Sequence, residues 1–140
     1  MLIRTPTADD AAALSGLVAQ LGYPASADEM PRRLDALGVT KDAVVLVAEV
    51  DGAVVGVITC HVFATIHSTA PAALLTALVV AEQARGSGVG RQLVARVEEW
   101  ARAKGAVRIA VTSGAQRAEA HAFYERVGYA RTGVRFGRLL

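Results

Sequence analysis

The sequence predicts an α/β fold, a mixed central sheet with helices on both faces, in the order β-α-α-β-β-β-α-β-α-β. Three observations carry this. The apolar run Leu74–Val80 reads as a buried strand, and the glycine-rich stretch Arg85-Gly86-Ser87-Gly88-Val89-Gly90 follows it. An amphipathic helical pattern then runs from Gly90 to Lys104. Asp51-Gly52, set between two apolar runs, is a strong hairpin signal.

The elements follow in order. Leu2-Ile3-Arg4 is a short strand candidate, and Thr7 is placed to cap a helix whose first turn carries Asp9 and Asp10. Leu14, Leu17, Val18 and Leu21 continue it at helical spacing, and Gly22-Tyr23-Pro24 ends it. A second helix is predicted from about Asp28 to Leu37, with Pro31 in its first turn and Gly38 as its stop. Strands follow at Ala43–Glu49 and Val54–Phe63. Ala64–Ala70, holding His67, Ser68 and Thr69, reads as a loop before a strand at Ala72–Val80. In the long helix Val89, Leu93, Val94, Val97 and Trp100 form the buried stripe, and Gly105 closes it. Val107–Thr112 is a fifth strand, and a last helix reaches about Val127, closed by Gly128. Tyr129–Leu140 is read as terminal strand material.

At 140 residues, 53% of them apolar and 20% charged, the chain suits one globular domain, 1–140, with a real core. A net charge of +2 is too small to argue for nucleic acid. One cysteine, Cys60, excludes an intrachain disulfide framework. Met1–Pro6 has no signal-peptide core, and no apolar run approaches the ~18 residues of a membrane span. A cytoplasmic location is therefore expected, with neither nucleic acid nor membrane as partner.

A glycine-rich turn between a strand and a helix exposes backbone N–H groups at the positive end of the helix dipole, where phosphate binds. The dinucleotide pattern G-x-G-x-x-G fails, because counting from Gly86 its last glycine falls at Arg91. The Walker pattern fails for want of its lysine. The pattern R/Q-x-x-G-x-G/A is met by Arg85, Gly88 and Gly90.

On these residues, and on Ala122-Phe123-Tyr124-Glu125-Arg126-Val127-Gly128-Tyr129, the chain resembles the GNAT family of N-acetyltransferases. The second segment matches that family's helix ending in F-Y-E-x-x-G-F/Y, and the likeness covers nearly the whole chain. It implies a GNAT-like fold and acetyl-CoA as co-substrate, with transfer of the acetyl group to a primary amine of a small molecule, peptide or protein. It calls for no metal, and a homodimer is an expectation that comes with it.

The resemblance assigns sites residue by residue. Gly86, Ser87, Gly88, Val89 and Gly90 would cradle the pyrophosphate through backbone N–H groups, and Arg85 and Arg91 would add charge. Leu78, Val79 and Val80 would offer backbone groups to the pantetheine arm, as a ligand adding a strand. Arg117, standing where many relatives have a CoA-touching asparagine, is a further phosphate candidate. Tyr124 is the candidate acid for the departing thiolate. Phe123 is expected in the core, packing on Val127.

Many relatives carry an acidic residue on the strand before the loop, and this chain has Thr76 and Ala77 there. The candidates left for the base are Glu49, His61, His67, Glu119, His121 or an ordered water. Tyr23, His67 and Arg135 are candidates for acceptor contacts. The alternative function is a non-catalytic acyl-CoA-binding regulatory module that has kept the cofactor loop.

Overall fold

The computed structural model describes residues 1–112 and 118–140. Two compact units divide the chain, Met1–Ala110 and Val111–Leu140. The element order is β1 (Leu2–Arg4), α1 (Ala11–Ala19), α2 (Met30–Val39), β2 (Ala43–Val50), β3 (Ala53–Thr65), β4 (Ser68–Val80), α3 (Val89–Ala103), β5 (Ile109–Val111) and α4 (Ala118–Arg126). The sheet has five strands in the order β1-β2-β3-β4-β5, and β1 through β4 pair antiparallel. β5 follows β4 in the same direction, since Val107 donates to the Pro71 carbonyl and Arg108 accepts from Ala73. The sheet is therefore mixed, as expected.

The β2–β3 hairpin turns at Asp51 and Gly52, both with positive φ (50° and 80°), the backbone that a twisted two-residue turn requires. The core lies between the sheet and its helices. From α3, Val89, Leu93, Val94, Val97 and Ala101 are buried. A Cβ built on Gly56 would stand 3.0 Å from both Leu93 Cδ1 and Val89 Cγ1, so α3 lies directly on β3 there. Side chains alternate along a strand, so Val55 and Val57 point away from α3. They too are buried, and α1 is the other helix that meets β3. α3 ends in a Schellman motif, with Ala106 N–H on the Ala101 carbonyl and Gly105 N–H on that of Arg102. Among the described residues no helix is long and apolar enough to cross a membrane.

Four expectations change. The region read as a loop at 64–70 is strand, because Thr65 pairs with Ser68 across a two-residue turn at Ile66-His67. α2 runs through Gly38 to Val39, where the Thr40 hydroxyl takes the Ala36 carbonyl (2.6 Å) and finishes the helix instead. Trp100 is half-buried rather than core, with Lys104 Nζ 6.0 Å from its ring centroid. The terminal strand does not form. Every residue from Ala130 to Leu140 is exposed, so the segment has no buried face to stabilise a strand.

One charged cluster ties β1 to the start of α1. Arg4 bonds both oxygens of Asp10 (2.8 and 3.0 Å) and Glu49 (3.0 Å), and Asp10 also accepts from the Thr7 N–H (2.7 Å). The Arg4 guanidinium, helped by that N–H, holds the Asp10 carboxyl below its ordinary value. A lowered native pKa contributes stability that is full above the unfolded value of about 4 and is lost as pH falls through the native value. Asp10→Asn is therefore expected to unfold in less urea than the natural chain at pH 7, by roughly 2 kcal/mol, with the gap narrowing as pH falls below about 4. Urea titrations across that range check this.

Candidate active site

The glycine turn is built as an anion cradle. Gly86 and Gly88 have φ of +80° and +89°, a region that L side chains rarely adopt. A Cβ built on either meets nothing within 4 Å, so both backbones face open space. Gly88 is the N-cap of α3 and no side chain caps it. Its carbonyl accepts from Gln92 N–H (3.1 Å), leaving Val89, Gly90 and Arg91 as the first-turn donors that a helix cannot satisfy internally. That turn holds no acidic residue and carries Arg91, exposed. Within that first turn both charge and dipole favour an anion.

The strand before the turn presents a second row of donors and acceptors. Ala81 N–H bonds the Val55 carbonyl (2.7 Å), which makes Ala81 and Val55 a hydrogen-bonded pair. Such pairs alternate along an antiparallel ladder. Val79, opposite Val57, thus turns its backbone groups to β3, and its side chain is buried. Leu78 and Val80, opposite Ile58 and Gly56, turn theirs to the other edge. Of the three residues expected to meet an extended ligand arm, Leu78 and Val80 are the ones whose backbone faces outward.

Arg85 has another task than phosphate binding alone. Its Nε donates to the Val80 carbonyl (3.1 Å) and its Nη2 to Gln20 Oε1 (3.2 Å), so it ties the turn to the outward edge of β4 and to the end of α1. The Ser87 hydroxyl donates to the Ala84 carbonyl and closes the turn from within.

In the second unit, α4 ends as α3 does. Tyr129 N–H bonds the Tyr124 carbonyl (2.9 Å) and Gly128, φ +99°, bonds that of Glu125 (3.1 Å), which is the Schellman pattern. The apolar contact that accompanies such a cap is the Tyr124–Tyr129 ring pair, centroids 5.8 Å apart. Phe123 meets Tyr124 edge-on at 5.4 Å. Phe123 is half-buried, and no residue of α4 is fully buried. The Gly-Tyr that closes the F-Y-E-x-x-G-Y segment is thus a helix cap that holds the Tyr124 ring. In the sequence Tyr129 is one residue of a pattern; in the fold it is the packing partner of Tyr124.

The remaining candidates are distributed as follows. Glu49 is paired with Arg4. His67 Nε2 lies 2.7 Å from Arg108 Nη2 at the β3–β4 turn. His121 Nδ1 lies 3.4 Å from Arg131 Nη2, three residues before Tyr124 on α4. Glu119, Tyr23 and Arg135 are exposed, and His61 is half-buried on β3. Arg117 lies outside the described residues. Burial pushes the Cys60 thiol up to about 11, so it is no nucleophile at neutral pH. Among the described residues no group of three or more acidic, histidine or cysteine side chains is placed to hold a metal ion.

Residues 13–129 match the family model described as acetyltransferase (GNAT) family. The chain belongs to the GNAT acetyltransferase family. This GNAT chain is 34% identical, over 134 residues, to an aminoglycoside N(6')-acetyltransferase type 1 of Stenotrophomonas maltophilia, covering 93% of the chain and 86% of that protein. It is 37% identical over 90 residues to an aminoalkylphosphonate N-acetyltransferase of Salmonella typhimurium; that stretch is 64% of the chain and spans 58% of the relative's length. Among solved structures it is similar to the aminoglycoside N-acetyltransferase AAC(6')-Iy in complex with CoA, at a TM-score of 0.85 and 21% identity, over 99% of this chain and 93% of that one. The GNAT fold read from the sequence is the observed fold, and the chain is an N-acetyltransferase by family.

Proposed function

We propose that this acetyltransferase takes acetyl-CoA as donor and transfers its acetyl group to a primary amine, with residues 1–140 acting as one domain. The observation that carries the reading is the uncapped glycine turn at the start of α3, continuous with the outward backbone of Leu78 and Val80. Gly86 to Gly90 hold the pyrophosphate, helped by Arg91. The outward groups of β4 pair with the amide-rich pantetheine arm, and Arg85 keeps turn and strand end in fixed relation. The named substrates of the relatives, an aminoglycoside and an aminoalkylphosphonate, are both amines and support an amine acceptor.

The chemistry is one displacement. The neutral amine nitrogen attacks the thioester carbonyl, the C–S bond breaks, and the amine gives up a proton to water or a nearby base. The thiolate takes a proton from the Tyr124 hydroxyl.

Calorimetry with acetyl-CoA, followed by a thiol-release screen over an amine panel, tests the reading. Binding with amine-dependent release is the expected result. Binding without release from any amine would instead favour an acyl-CoA-binding regulatory module, a reading to which the missing strand carboxylate lends its only support.

A further inference from the structure

β3 and β4 keep register as far as Thr59 opposite Ala77, and resume with Cys60 opposite Leu75. The residue left over is Thr76. An extra residue of this kind bends the strand and re-aims its own side chain. Here it brings the Thr76 hydroxyl to 2.6 Å from that of Thr59 on an exposed surface. The face is the one turned away from α3, since Thr59 follows Val55 and Val57 in alternation and Gly56 points at the helix. The same face continues along β3 to His61 and the exposed Phe63, whereas Cys60 and Val62 between them are buried.

The position of the pair separates it from an ordinary cross-strand contact. The proposed donor runs from the glycine turn back along Val80 and Leu78, so its reactive end comes next to Thr76, two residues on. Two hydroxyls bonded to each other spend one proton between them, leaving one free O–H and unshared lone pairs on uncharged oxygens. Such a group accepts an N–H from an amine, and the nitrogen lone pair stays available for attack.

We propose that the Thr59–Thr76 hydroxyl pair is the docking point for the acceptor amine. The assignment rests on the acetyl-transfer reading above. It gives the β4 bulge a role, because without the extra residue the two hydroxyls would not share a face.

The test is steady-state kinetics with acetyl-CoA and two probes, a 6'-amino aminoglycoside and an aminoalkylphosphonate. Thr76→Val and Thr59→Val each remove one oxygen with little change of shape, on exposed or half-exposed strand positions. Each is expected to raise KM for the amine about tenfold, the loss of one hydrogen bond, with KM for acetyl-CoA unchanged. Thr76→Ser is expected to restore the amine KM to within about twofold, since it keeps the hydroxyl. Unchanged amine KM in both valine variants overturns the assignment and leaves the acetyltransferase reading standing. A rise confined to acetyl-CoA also overturns it. If the natural chain binds acetyl-CoA in calorimetry yet releases no CoA with these two amines or with any other amine of the panel, the acetyl-transfer reading falls and this assignment falls with it.

Discussion

Replacing Gly88 by glutamate is expected to abolish acetyl-CoA binding. Two effects add. At φ +89° a side chain costs about 1–2 kcal/mol, and binding bears that cost because the free turn relaxes to relieve it and must return to this conformation to hold the phosphate. A carboxylate about 4 Å from a phosphate charge, near a protein surface, adds about 4 kcal/mol of repulsion. Together they raise Kd by about three to four orders of magnitude. The second effect is the larger, which makes the test specific. Gly88→Ala carries the strain without the charge and is expected to weaken binding by about five- to thirtyfold. A Cβ at this position meets no protein atom within 4 Å, so the folded chain has room for it and the loss belongs to the ligand. Calorimetry reads both variants, with thermal unfolding as the check on folding. If Gly88→Glu binds acetyl-CoA like the natural chain, the pyrophosphate does not sit on this turn.

The turn was legible because its physics is local. Positive φ at Gly86 and Gly88, an uncapped helix start and an apolar strand before it are properties of consecutive residues. The same holds for Asp51-Gly52 and for the caps at Gly105 and Gly128. What the sequence hid depends on partners distant in the chain. Ala64–Ala70 is rich in small and hydroxyl residues and passes for a loop, yet cross-strand pairing makes most of it β-strand. Tyr129–Leu140 contains Val134 and Phe136 and passes for a strand, yet lacks a buried face. The bond from Arg85 to Gln20 joins residues 65 apart, and no local pattern announces it. The Thr59–Thr76 pair exists only because a bulge shifts register by one residue, and alternation read along β4 by itself puts Thr76 on the wrong face. Tyr129 is the intermediate case. Its spacing from Gly128 carried the signal, since an apolar residue just after a cap glycine is the usual partner of one a turn and a half earlier.

That partner relation sharpens what Tyr124→Phe should do. The substitution removes one oxygen and keeps the ring, so the contacts to Phe123 at 5.4 Å and Tyr129 at 5.8 Å survive. Any change in rate then reports the hydroxyl. A thiol leaves as a fairly stable anion, with a pKa near 8.5, so a general acid has less to supply than it would for an alkoxide or an amine. The expected loss in kcat is therefore about 10²-fold, the lower end of what a positioned acid contributes, with acetyl-CoA affinity unchanged. Single-turnover measurement is the right reading, because slow product release would mask a chemical step of this size. Tyr129→Ala separates position from chemistry. It leaves the Tyr124 hydroxyl in place but removes the ring that packs on it, and is expected to lower kcat by about tenfold, with Tyr129→Phe restoring it. Equal single-turnover rates for the natural chain and Tyr124→Phe would remove the hydroxyl from the mechanism, and proton delivery to the thiolate would pass to solvent.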